Sequence, residues 1–225
     1  MPQPSPQRTP RFRLLVFDWD GTLADSTAII ASAIQKACFD LGLPVPAEAA
    51  ARYVIGLGLA DALRHVAPAL AAEDYPRLSE RYRQHYLARD PEIPLFGGAR
   101  EMLDELDARG HLLAIATGKS RVGLARALAS QRLEHRFSAS RCGDEGFPKP
   151  HPDMLFALME RCGVEAAETL MIGDTSHDLE LARNAGASAV AVSYGAHGAD
   201  GLAALSPLAM VASIAELRAW LGANG

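Results

Sequence analysis

Residues 14–23 read Leu14-Leu15-Val16-Phe17-Asp18-Trp19-Asp20-Gly21-Thr22-Leu23, four unbroken apolar residues running into an Asp-x-Asp-Gly-Thr turn. An apolar run with no polar alternation suits a strand buried on both faces, as in a parallel sheet covered by helices on either side. Three more such runs follow, at Leu112–Ala116, Thr169–Ile172 and Ala189–Val192. Between them lie helical stripes. Ala99, Met102, Leu103 and Leu106 stand at i, i+3, i+4 and i+7, closed by Gly110 at C′. Leu155, Leu158, Met159 and Cys162 repeat the pattern, with Pro152 near the start and Gly163 after the end. A last helix opens with the capping box Ser213-x-x-Glu216 and carries Ile214, Leu217 and Leu221 on one face. Strand and helix in alternation predict a doubly wound, Rossmann-like α/β core with a parallel sheet.

Residues 27–92 break this rhythm. Ile30, Ala33, Ile34, Ala37, Cys38 and Leu41 stand at helical spacing up to Gly42, and helix-like segments follow after Pro46, over Leu57–Val66 and over Tyr75–Arg89. No strand-like run interrupts these 66 residues, too many for one crossover, so they predict a small all-helical cap domain inserted after the first strand. Its hinges fall at 25–27 and 90–94, which leaves 11–26 and 93–225 as the α/β core. Residues 1–10 hold four prolines and predict a disordered tail.

The chain of 225 residues carries 22 Lys+Arg against 27 Asp+Glu, a net charge of −5, with 49% apolar and 22% charged residues. That is the composition of a folded globular protein without the basic field of a nucleic-acid binder. Cys38, Cys142 and Cys162 are scattered and make neither a disulfide framework nor a zinc motif. With no signal-peptide pattern and no run of 18 apolar residues, the expectation is a soluble cytoplasmic protein, monomer or homodimer, that does not engage membranes.

Open parallel sheets place their sites at the carboxyl ends of the strands. There the sequence sets Asp18 and Asp20, then Thr117-Gly118-Lys119, then Lys149 between two prolines, then Gly173-Asp174-Thr175-Ser176-His177-Asp178. Three or more carboxylates gathered at one sheet edge repel unless a cation sits among them, and hard oxygen ligands suit Mg²⁺.

These four motifs, in this order, resemble the haloacid dehalogenase-like hydrolase superfamily, and specifically its phosphoglycolate-phosphatase-like members with a helical cap after the first strand. The resemblance runs from Arg13 to the end. It implies a Mg²⁺-dependent phosphatase acting on a small phosphate monoester through an aspartyl-phosphate. Asp18 would be the nucleophile and Asp20 the acid and base. Thr117, Gly118 and Lys149, with Trp19 and Gly21 beside them, would hold the phosphate. Asp18, the carbonyl of Asp20 and Asp174 would hold the metal, and Asp178 would orient its waters or Lys149. Gly21 would let the backbone approach the substrate and Thr22 would cap the next helix. Motif two departs from the common pattern in having Gly118 after the hydroxyl residue, and motif one in having Trp19.

Each residue has a plainer role to weigh. Asp174 and Asp178 stand where helix caps are common. Trp19 reads as packing beside the site, His177 as exposed surface, and Lys119 and Arg121 as the solvated start of a helix. Arg77, Arg81, Arg83 and Arg89 read as a solvated face, unless one of them, or Arg52 or Arg64, meets a second anion on the substrate. Asp20 argues against dehalogenase chemistry, and Lys36, the only cap lysine, is poorly placed for Schiff-base phosphonate cleavage. A sugar-phosphate mutase sharing all four motifs, and a non-catalytic binding or regulatory protein, are the alternatives.

Overall fold

The computed structural model describes residues 11–224, so the tail expected at 1–10 lies outside the described residues. In chain order the elements are β1 (Leu14–Phe17), α1 (Thr27–Asp40), α2 (Glu48–Tyr53), α3 (Leu59–Val66), α4 (Tyr75–Leu87), α5 (Ala99–Ala108), β2 (Leu112–Thr117), α6 (Arg121–Gln131), β3 (Ala139–Cys142), α7 (Asp153–Cys162), β4 (Thr169–Gly173), α8 (Ser176–Asn184), β5 (Ser188–Val192), α9 (Ala199–Ala203), β6 (Ala209–Val211) and α10 (Ile214–Asn224).

The six strands form one sheet in the order β3-β2-β1-β4-β5-β6, every pairing parallel. β1 is central. Leu14 pairs with Leu112 on one side and Thr169 on the other, and its four residues are all buried. Alternate side chains supply two separate cores. Leu15, Phe17, Leu113, Ile115, Leu170 and Ile172 pack with Met102 and Leu103 of α5 and Leu217 and Leu221 of α10. Leu14, Val16, Ala114, Ala116 and Met171 pack on the opposite face against Leu155 and Leu158 of α7 and Leu181 of α8. The unbroken apolar runs are the sequence trace of this two-sided burial.

Two strands carry no such trace. β3 reads Ala-Ser-Arg-Cys and is mostly half-buried, and β6 has only three residues with Met210 exposed. Both are edge strands, which pair on one side and need no apolar run to stay put. The capping box at α10 is also displaced. Ser213 Oγ accepts from Glu216 N at 3.2 Å, but the Glu216 carboxylate accepts from Ala212 N, one residue earlier than a capping box requires.

Between β1 and α5 the chain builds α1–α4 with two short 3₁₀ turns and, within 27–92, no strand. Ala37 and Cys38 of α1 close a small core of their own with Leu63 of α3 and Leu78 of α4. The chain leaves and re-enters the sheet domain through adjacent segments. Ala24 bridges antiparallel to Leu95, Asp25 N donates to Pro94 O at 3.0 Å, and Phe96 N donates to Leu23 O at 2.9 Å. Among the described residues no helix is long and apolar enough to cross a membrane.

Because β1 is packed on both faces and paired on both edges, Leu15→Ala should cost about 2–5 kcal/mol in urea unfolding. Phe39→Ser, at a side chain 74% exposed on α1, should change stability by no more than about 0.5 kcal/mol.

Candidate active site

Each strand of the sheet's centre ends in a polar residue, and the parallel register brings these ends together. Asp18 follows β1 and extends its ladder, with its N–H donating to Ile172 O at 2.9 Å. Thr117 closes β2 and Asp174 follows β4. Lys149 enters from the loop before α7, and Asp178 sits in the first turn of α8. Asp18, Asp20, Thr117, Lys149, Asp174 and Asp178 are all buried, a condition that charged groups tolerate only when paired or ligating.

The pairing is incomplete. Lys149 Nζ donates to Asp18 Oδ1 at 2.7 Å and to Asp178 Oδ1 at 2.6 Å. The second oxygen of Asp178 accepts from Thr175 N at 3.0 Å and Thr175 Oγ1 at 2.7 Å, which completes a capping box at the start of α8. The two roles weighed for Asp178, helix cap and partner of Lys149, are therefore filled by its two oxygens. Asp174 accepts from Thr22 Oγ1 at 2.8 Å and Ala196 N at 2.7 Å, both neutral donors. Asp18 Oδ2 is buried with no hydrogen-bond partner among the described residues.

One ammonium therefore faces three carboxylates, whose oxygens come within 4.8 Å of one another. Burial pushes the Asp18 carboxyl up to about 7, against the pull of Lys149, and raises Asp174 well above the usual carboxylate range, with the charges of Asp18 and Asp178 adding to it. Burial would lower the Lys149 ammonium, but the attraction of Asp178 and Asp18 reverses this and raises it. The orphaned oxygen of Asp18, the un-neutralised charge of Asp174 and the all-oxygen donor set fit a hard divalent cation.

Gly21 has a different task from the one its motif suggests. With φ of +91°, it lies against Asp174, and a Cβ there would overlap Asp174 Oδ2. Its missing side chain makes room for a site carboxylate rather than for substrate. Thr22 likewise caps no helix, because its hydroxyl is spent on Asp174. Trp19 is 2% exposed and belongs to the core beneath the site, while its carbonyl accepts from Leu23 N and Ala24 N to shape the turn.

Lys119 is not on a solvated helix start. Its Nζ donates to Asp20 Oδ1 at 2.9 Å, Asp20 Oδ2 at 3.0 Å and Tyr86 OH at 2.7 Å, and lies over the Tyr86 ring. Ser26 Oγ also donates to Asp20 at 2.8 Å. Lys119, Tyr86 and Ser26 are site residues that motif spacing alone leaves unmarked; the one available signal for Lys119 is its place in the loop after β2.

His177 is buried rather than exposed. Its Nε2 and that of His197 both lie 2.9 Å from the Tyr53 carbonyl oxygen, and burial lowers both imidazoles. Arg121 pairs with Glu145 at 2.7 Å. Arg52, Arg64 and Arg89 pair with Glu48, Asp61 and Glu92. Arg81 bonds Gln84, Arg77 is exposed, and Arg83 borders the cavity.

That cavity, about 680 Å³, lies between α1, α3 and α4 on one side and the sheet edge on the other. Asp18, Asp20, Thr117 and Gly118 line its floor; Trp19 and Gly21 do not line it.

The sequence model of the family described as haloacid dehalogenase-like hydrolase matches residues 15–192. The chain is 37% identical over 211 residues to "Probable phosphatase IndB" of Dickeya dadantii, covering 91% of each. It is 33% identical over 217 residues to a phosphoglycolate phosphatase of Yersinia pestis, covering 93% of each. Among solved structures, a hydrolase from Pseudomonas syringae superposes with a TM-score of 0.86 at 26% identity, covering 94% of this chain and 98% of that one.

Asp18 and Asp174 bind protons more tightly folded than unfolded, so the stability these two groups contribute is fully present below their ordinary value of 3.8 and is lost as pH rises, for Asp18 through about 7. In EDTA, the Tm of the chain relative to that of Asp174→Asn should fall between pH 5 and 7.5, a comparison that cancels the opposite trend of the buried His111, His177 and His197. Added Mg²⁺ favours the ionised carboxylates and should raise Tm more at pH 7.5 than at pH 5. A Tm in EDTA that climbs relative to the variant across this window would contradict the assignment.

Proposed function

The chain belongs to the haloacid dehalogenase-like hydrolase family, and we propose that it is a Mg²⁺-dependent phosphatase that hydrolyses a small phosphate monoester through an aspartyl-phosphate. The observation that carries this is the state of Asp18. One of its oxygens is held by Lys149, the other is bare, and the residue lines the floor of a cavity that Asp20 also lines.

Asp18, the backbone carbonyl of Asp20 and Asp174 would hold the metal. Asp178 is left to support, since Lys149 already neutralises it. When bound, Mg²⁺ supplies positive charge that offsets the phosphate dianion and keeps Asp18 ionised near neutral pH. Thr117 and Gly118, which line the floor, and the Lys149 ammonium hold and neutralise the phosphoryl oxygens, Gly118 through its amide. Phosphoryl transfer asks mostly for such positioning.

In the first half-reaction a carboxylate oxygen of Asp18 bonds to phosphorus as the bond from phosphorus to the ester oxygen breaks. The departing oxygen takes the proton of Asp20 and leaves as the alcohol. In the second, Asp20 takes a proton from water, whose oxygen bonds to phosphorus as the phosphorus–Asp18 bond breaks. Inorganic phosphate leaves and both carboxylates are restored. Lys119 and Ser26 hold the Asp20 side chain between these steps. The helical segment 27–92 acts as the cap, with 11–26 and 93–225 as the catalytic core, and the partner is a small molecule rather than nucleic acid or membrane.

Asp18→Asn should lower phosphate release from p-nitrophenyl phosphate in Mg²⁺ by about 10³-fold or more. Asp20→Asn should cost about 10²–10⁴-fold on an alkyl phosphate and much less on p-nitrophenyl phosphate, whose leaving group needs no proton. Undiminished turnover in Asp18→Asn would remove it as nucleophile.

A further inference from the structure

We propose that the alcohol half of the substrate carries a ring, so that the ester this chain prefers is larger and less polar than 2-phosphoglycolate. This rests on the phosphatase reading above and concerns only what fills the space beyond the phosphate.

The cap is already seated on the core, on two sides. On one side Gly118 lies so close to the Gly56 and Leu57 carbonyl oxygens that a Cβ would overlap both. Nearby, the Tyr53 carbonyl oxygen is 2.9 Å from both His177 Nε2 and His197 Nε2. On the other side Tyr86 OH of α4 meets Lys119 Nζ at 2.7 Å. With both seams in contact the cavity between them is still about 680 Å³ and stays partly open to solvent. Sites of about 300–1,000 Å³ enclose drug-sized molecules. Beyond its phosphate, 2-phosphoglycolate brings only two carbons and a carboxylate, and would leave most of this volume to water.

The chemistry of the wall points the same way. Ile30, Ile34, Ile55, Leu57, Tyr82 and Tyr86 face the space from the cap. Tyr82 and Tyr86 are stacked, with ring centroids 5.8 Å apart and planes inclined at 19°. A carboxylate set among these groups loses hydration and could be met only at the rim, whereas a ring buries apolar surface against flat and branched side chains. The basic groups bordering the cavity are mostly spoken for, Lys119 by Asp20 and Tyr86, Arg126 by Asp90. Arg83 remains, exposed on α4.

The test compares kcat/KM of the full chain in Mg²⁺ for benzyl phosphate and 2-phosphoglycolate, with p-nitrophenyl phosphate as a third substrate. The first two release primary alcohols, so intrinsic reactivity is matched. Benzyl phosphate should be favoured by about tenfold or more. Ala60→Trp, which narrows the cavity from the exposed side of α3, should lower the ratio of benzyl phosphate to 2-phosphoglycolate by about tenfold or more. Leu87→Trp on α4 serves the same end if the first variant does not fold. Equal or better use of 2-phosphoglycolate would overturn the inference, as would hydrolysis of p-nitrophenyl phosphate alone, or a ratio unmoved in a folded narrowing variant. No release from any of the three would overturn the phosphatase reading itself, and this one with it.

Discussion

Three carboxylates and one ammonium are buried together at the carboxyl edge of the sheet, and the excess negative charge there governs much else in the molecule. Lys149 can neutralise only part of it, and it does so by bridging Asp18 and Asp178, which leaves Asp174 with neutral donors and Asp18 with a bare oxygen. Burying an ion without compensation is costly, and the carboxyls answer by holding protons, as the raised positions of Asp18 and Asp174 record. A protonated Asp18 is a poor nucleophile. The same imbalance is what would draw in a cation, after which the site could accept a phosphate dianion in a chain whose net charge is −5.

The fold is what makes this crowding possible. β1 and β4 are hydrogen-bonded neighbours, so Asp18 and Asp174 necessarily emerge side by side. β2 on the far side of β1 delivers Thr117 to the same edge. Two apolar layers, one on each face of the sheet, anchor these strands well enough to hold repelling side chains at their tips. Gly21 then removes the side chain that would otherwise displace Asp174. Stability bought in the core is thus spent at the edge.

How much of this was legible in advance follows from the same physics. The four inner strands announce themselves because burial on both faces demands unbroken apolar runs; β3 and β6, at the edges, face no such demand and look like loop. Asp18, Asp20, Asp174 and Lys149 are visible because they recur at strand ends in a fixed order. Lys119 is invisible because its partner Tyr86 lies on a cap helix 33 residues earlier, and no local pattern encodes that meeting. His177 fails for the same reason: its environment is the Tyr53 carbonyl, 124 residues away in sequence. Gly21 was seen as a glycine that must stay small, but what it stays small for is set by a carboxylate from another strand.

These misses fall largely on one surface, the seam between cap and core, and that has a physical meaning. On the proposed mechanism the sheet edge supplies attack, proton transfer and charge, all of which act on the phosphorus and the ester oxygen and are indifferent to the rest of the alcohol. The cap supplies the remaining wall, through side chains that meet the core only in three dimensions. A ligand seated there is discriminated by shape and desolvation, while Tyr86, touching Lys119 and through it Asp20, ties the position of that wall to the acid–base group. A substrate too small to press against Tyr82 and Tyr86 would still reach Asp18, but would gain nothing from the cap that closes over it. Binding energy from the non-reacting half is what an enzyme can spend on holding the reacting half in line. In this chain the apolar residues of α1, α3 and α4 are where that energy is available.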